Sequence, residues 1–154
     1  MNEPLLTSEE VGKSLHPVFD TQIINYGAYN LVFATGSAIY RNPDIAAGQK
    51  PEQNHFLIGY RELPQEVIVA PVELPAVSAA GSPTSIDNTN ALRAYAVGPR
   101  SLGLESTNGT SFFLRFQEKM EVTTPAGSGI LDQRLDLEDF FKFLETSWLE
   151  PFED

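Results

Sequence analysis

There is no cysteine in the 154 residues. That absence removes a disulfide framework, a thiolate nucleophile, a zinc ribbon and an iron–sulfur site. Basic residues are scarce: ten Lys and Arg stand against 21 Asp and Glu, a formal net charge of −11. Nucleic-acid binding rests on Lys and Arg meeting phosphates, so no nucleic-acid partner is expected. Docking on an anionic membrane surface is disfavoured for the same reason. The two histidines, His16 and His55, have neither His-x-x-x-His nor His-x-His spacing, and both read as structural or solvent-exposed. Neither a phosphate loop, G-x-x-x-x-G-K-[ST], nor a nucleophile elbow, G-x-S-x-G, is present, so no catalytic residue and no cofactor is expected.

Long apolar runs are missing too. The longest uncharged stretch, residues 21–40, is broken by Gln22, Asn25, Gly27, Asn30 and Gly36. It reads as two buried strands with a turn at Gly36-Ser37, not as a membrane span. Met1-Asn2-Glu3-Pro4 has no basic region and no apolar run behind it. The reading is therefore no signal peptide, and the expected compartment is the cytoplasm. Without a secretory signal, Asn108-Gly109-Thr110 reads as a hairpin turn of type I′ and not as a glycosylation site.

What is present is strand-forming sequence between two helical ends. Thr7-Ser8-Glu9-Glu10 fits a capping box, with Leu6 and Val11 placed for a hydrophobic staple. A short helix is expected over residues 8–15, limited by Pro17. Strands are expected over 22–35, 38–41, 56–62, 66–74, 92–97, 102–105 and 111–122, from Val, Ile, Phe and Tyr content and period-two alternation. In the strand at 66–74, Val67 and Val69 fall on one face and Ile68, Ala70 and Val72 on the other, which predicts burial on both sides. Residues 75–90 are rich in Ala, Ser, Pro, Thr and Asn and read as a flexible loop or insertion. Gly127-Ser128-Gly129 reads as a flexible turn. Leu137, Phe140, Phe141, Leu144 and Trp148 form a helical stripe, with Asp136 as the expected cap and Pro151 as the stop.

The fold class that follows is α+β, mainly antiparallel β, in a single domain spanning residues 1–154. About seven strands form a curled sheet or partly open barrel, with a short N-terminal helix and an amphipathic C-terminal helix packed on it. By element order over residues 22–149 the architecture resembles a pleckstrin-homology-type barrel, seven strands closed by a C-terminal helix. That resemblance implies a fold and no function, and the first hairpin lacks the basic cluster such domains use for inositol phosphates.

Three functions compete. The first is a non-enzymatic acidic interaction module for a protein or peptide, with a basic one expected from the charge. Its contact residues would be Phe113, Phe143, Leu149 and Phe152, with Glu145 and Glu150. Residues 132–154 hold eight acids against Arg134 and Lys142, so a basic partner would be steered to that end. Helix capping accounts for the Asp132, Asp136, Glu138, Asp139 cluster, and its spacing is not that of a calcium loop, so no metal is expected. The second is a small-molecule carrier or enzyme with a pocket inside the sheet, lined by Tyr26, Tyr29, Tyr60, Arg61, Arg93 and Tyr95. The third is a homo-oligomer formed through an edge strand or the C-terminal helix, as in small assembly and secretion-chaperone proteins.

Overall fold

The computed structural model describes residues 5–22, 29–49, 53–62, 65–74, 77–87, 89 and 91–147. A two-residue strand, β1 (Leu5–Leu6), leads into α1 (Ser8–Gln22). The capping box forms as its residues dictate. The Thr7 backbone N–H donates to Glu10 Oε1 at 3.0 Å, and the Glu10 N–H donates to Thr7 Oγ1 at 3.2 Å. The helix runs on past residue 15 with Pro17 inside it. A proline in a helix interior forfeits one hydrogen bond, here to the Lys13 carbonyl, and crowds that turn. Pro17 is exposed, so the helix bears that defect on its solvated side.

Eight strands make the main sheet, all pairs antiparallel: β2 (Asn30–Tyr40), β3 (His55–Glu62), β4 (Gln65–Glu73), β5 (Ser78–Ala79), β6 (Thr84–Asp87), β7 (Ala91–Gly98), β8 (Ser101–Ser106) and β9 (Thr110–Arg115). A one-turn helix, α2 (Pro43–Ala46), capped by Asn42, lies between β2 and β3. The order across the sheet is β6–β4–β3–β2–β9–β8–β7, with β5 beside β6 on the outer edge of β4. Only three residues separate the end of β6 from the start of β7, although these strands lie at opposite ends of that order. In a flat sheet they would stand roughly 29 Å apart, six spacings of about 4.8 Å. Four peptide units reach at most about 14 Å. The sheet therefore curls until its two edges approach, and among the described residues those edges do not pair.

The inner face of the curl holds Val32, Ala34, Phe56, Ile58, Tyr60, Val67, Val69, Ile86, Leu102, Leu104, Phe112 and Leu114. The C-terminal helix, α3 (Arg134–Ser147), fills it further with Leu137, Phe140, Phe143 and Leu144. Among the described residues the outer face is covered only over β2, β3 and β4. There Phe33, Leu57, Ile68, Ala70 and Val72 meet Val11 and Leu15 of α1 and Val122. Val122 belongs to a second, three-stranded sheet: β1, β11 (Gly127–Asp132) and β10 (Lys119–Thr124), with β1 parallel to β11. Two-sided burial of β4 is thus borne out. No helix among the described residues is long and apolar enough to cross a membrane.

Several expectations are corrected. Gly36-Ser37 is no turn: β2 runs straight through it and changes partner there, pairing with β3 over Asn30–Thr35 and with β9 over Thr35–Tyr40. The expected strand 111–122 divides into β9 and β10, which lie in different sheets. Even-numbered residues keep the apolar side throughout, but Phe116 packs inside the curl and Val122 outside it. Residues 77–87 are not a free loop, because β5 and β6 hydrogen-bond along β4 and bury Ala80, Thr84 and Ile86. The hairpin at Asn108-Gly109 forms with a different turn, since only Gly109 has positive φ, at 89°. Its N–H donates to the Ser106 carbonyl at 3.2 Å, giving a three-residue loop closed by the glycine. Gly127-Ser128-Gly129 opens β11, and a Cβ on Gly129 would lie 2.5 Å from the Leu6 carbonyl oxygen. That glycine is what lets β1 dock. Finally, α3 is capped by Asp132 and Gln133 rather than Asp136. Asp132 Oδ1 accepts from the Arg134 N–H at 3.2 Å, and the Gln133 carbonyl accepts from the Leu137 N–H at 2.8 Å.

Burial raises the phenol pKa of Tyr29 and Tyr40 to about 12, with a hydrogen bond to Glu66 as a further cause at Tyr29. Tyr60 is raised further by burial and by donating to Asp139 at 2.6 Å. An unfolded tyrosine ionises near 10. Stability from these three groups is therefore intact below about pH 10 and lost as pH rises toward the folded values. Urea midpoints should hold from neutrality to about pH 9 and fall progressively from about pH 10 upward. A midpoint that stays level across that rise would contradict the burial of these phenols.

Candidate functional site

A cleft of about 450 Å³ opens between α1, β2, β11 and the first turn of α3. Its floor is apolar: Leu15, Leu31, Val32, Phe33, Leu57 and Leu131. Its rim is polar: Ser8, Glu9 and Lys13 from α1, and Asp132, Gln133 and Asp136 from the turn into α3. The two sides are laced together. Ser8 Oγ accepts the Asp132 backbone N–H at 2.8 Å. The Gln133 side chain accepts the Phe33 N–H and donates to the Phe33 carbonyl, each at 2.8 Å, and donates to the Gln117 carbonyl at 2.9 Å.

The electrostatics of the rim are one-sided. Lys13 lies 3.2 Å from the Glu9 carboxylate, an i,i+4 pair on the solvated face. Arg134 turns toward Glu138, 3.6 Å away. The lining carries three carboxylates, Glu9, Asp132 and Asp136, against Lys13, so the mouth is net negative over an apolar floor.

One wall residue has no packing reason to be what it is. Gly12 sits inside α1, and a Cβ built on it would meet nothing within 4 Å. Its backbone is not in the positive-φ region. A helix-interior glycine costs about 1 kcal/mol relative to alanine, and here no close approach offsets that cost. What the missing side chain does is leave the cleft open.

The residues expected at contacts or in a pocket are scattered. Phe113 is exposed, at 40%, as the partner reading required. Phe143 is only 3% exposed and packs 5.4 Å from the Tyr60 ring, inside the curl. The apolar arc of α3 is centred on Phe140, which brings Phe143 inward and leaves Phe141 at the margin. Glu145 is exposed, while Leu149, Glu150 and Phe152 lie outside the described residues.

The six pocket residues do not converge. Tyr26 lies outside the described residues. Tyr29 and Arg61 meet on the outer face, the guanidinium 4.7 Å from the ring centroid, and both bind Glu66. Tyr60 points inward, and the interior that such a pocket needs is filled by side chains of the sheet and α3. Arg93 and Tyr95 stack on β7, the guanidinium 4.5 Å from the ring centroid, with β2, β9 and β8 between them and the Tyr29–Arg61 pair. His55 is half-buried beside Phe33, with ring centroids 5.8 Å apart, and burial lowers its pKa. Among the described residues no group of three His, Asp or Glu is placed to hold a metal ion.

Sequence reasoning explained Asp132 and Asp136 by helix capping and missed that they face α1. The available signal was Gly12, a glycine interrupting an otherwise helical run. No family model, no curated protein and no solved structure matches the chain.

Proposed function

We propose that the protein is a non-enzymatic interaction module that holds a basic segment of a protein partner, with the cleft between α1 and α3 seating one lysine or arginine side chain. The observation that carries this reading is Gly12, a destabilising glycine with open space in front of it at the cleft wall. A long cationic side chain suits the site. Its methylene stem lies on Leu15, Leu31 and Leu131 while its head reaches Asp132 and Asp136. The net charge of −11 steers such a partner in.

Small probes test the site without knowledge of the partner. In backbone-amide NMR titrations, 2-phenylethylammonium should shift Ser8–Leu15 and Leu131–Gln133, and 3-phenylpropanoate should not. Gly12→Ala should raise stability by about 0.5–1 kcal/mol. Gly12→Leu should fold at least as well as the parent and weaken ammonium binding at least tenfold. Equal response to the two probes, or binding indifferent to Gly12→Leu, would sink the proposal.

A further inference from the structure

We propose a second docking surface of opposite sign: the outer face of β7, β8, β9 and the C-terminal half of β2, which the other described residues leave uncovered and which takes an acidic protein segment carrying apolar side chains. The strand registers place Tyr95, Gly103, Phe113 and Ser37 in one row across four strands. Tyr95 lies flat across Gly103, because a Cβ there would sit 2.3 Å from the Tyr95 ring. The ring thus points along the row toward Phe113. Phe113 and Ile39 are 40% and 46% exposed, two of the four large apolar side chains left in solvent among the described residues. A shallow depression beside them is bordered by Thr35, Ser37, Ser101 and Arg115.

The charge here runs against that of the molecule. Arg93 and Arg115 project from this face, and Arg41 reaches over it to donate to Ser111 Oγ at 2.9 Å. Half of the chain's six arginines are therefore gathered at this face, two on its strands and Arg41 just after β2. The one carboxylate on this face of those strands is Glu105, 3.9 Å from Arg93. An antiparallel sheet with one wet face normally shows mixed polar residues there. A ring pair flanked by arginines is instead the composition that interface centres favour. Complementary charge selects a carboxylate-bearing occupant, and Phe113 with Ile39 selects one that also has apolar side chains. The alternative polyanion, a nucleic acid, would bring far more negative charge against a chain at −11.

The test is fluorescence anisotropy on the full chain, with a dye-labelled peptide of Asp, Glu, Ile and Phe and a counterpart in which Lys replaces the acids. The acidic peptide should bind and the basic one should not do so at this face. Phe113→Ser and Arg115→Glu alter exposed side chains, should leave the urea midpoint unchanged, and should each weaken binding about tenfold. Gly12→Leu should leave it intact, which separates this surface from the cleft. Binding untouched by both face variants would overturn the proposal. So would preference for an oligothymidylate, or light scattering showing that this face joins two copies of the chain.

Discussion

Gly36→Ala is expected to lower the stability of the protein by about 3 kcal/mol or more. The reason is a close backbone approach. At residue 36, β2 leaves β3 and takes β9, and its N–H donates to the Asn54 carbonyl at 3.0 Å. A Cβ at that point would lie 1.9 Å from the Phe113 carbonyl oxygen and 3.0 Å from its carbon. Neither atom belongs to a flexible side chain, so relief requires moving β9 itself. The backbone φ of +154° adds to the strain for any residue with a side chain. The same substitution at Gly12 is expected to act with opposite sign, because that glycine faces open space. Urea unfolding of the two variants beside the parent reads both effects at once. If Gly36→Ala unfolded within about 1 kcal/mol of the parent, the partner switch would not depend on this approach.

The contrast between these two glycines shows what could and could not be read from the chain. The capping box at Thr7 and Glu10 and the two-sided pattern of β4 depend on side-chain chemistry and spacing, and both formed as expected, while the apolar arc of α3 formed around Leu137, Phe140 and Leu144 with Phe143 inside it and Phe141 at its margin. Period-two alternation tells which residues share a face. It does not tell which sheet a strand joins. That is why 111–122 looked continuous and why residues 77–87 looked free, although Ile86 is fully buried. A glycine is equally silent about its cause. Gly36 serves a close backbone approach, and the space in front of Gly12 appears only once α1 packs beside β11 and the start of α3. The site followed the same rule. Phe113, Arg93 and Tyr95 were each recognisable as chemistry-bearing residues, but under two different readings. They became one face only when the registers of β7, β8 and β9 aligned them.

Gln133→Leu should be comparably severe, with a loss of about 3 kcal/mol or more from buried groups left unsatisfied. After Arg115, β9 turns away from β2, and the Phe33 N–H and C=O face an edge with no strand beside it. The Gln133 amide takes that place, meeting both groups of Phe33 as a neighbouring peptide would and holding the Gln117 carbonyl with its other N–H. It is 3% exposed, so water does not compete for these bonds. Leucine keeps nearly the same volume and supplies none of them. Two backbone groups, the Phe33 N–H and C=O, would then be buried without partners, each worth about 1–3 kcal/mol, partly offset by local opening. Glutamate would keep the acceptor for the Phe33 N–H, lose both donors and bury a charge, and should be worse than leucine. Amide exchange separates the edge-filling role from generic packing. Amide exchange at Phe33 should accelerate in Gln133→Leu by more than the loss of global stability accounts for, and Gly12→Ala, which offsets part of that loss from the far wall of the same cleft, should not restore its protection. If Phe33 stayed protected in that double variant, another group would have to be closing the edge of β2.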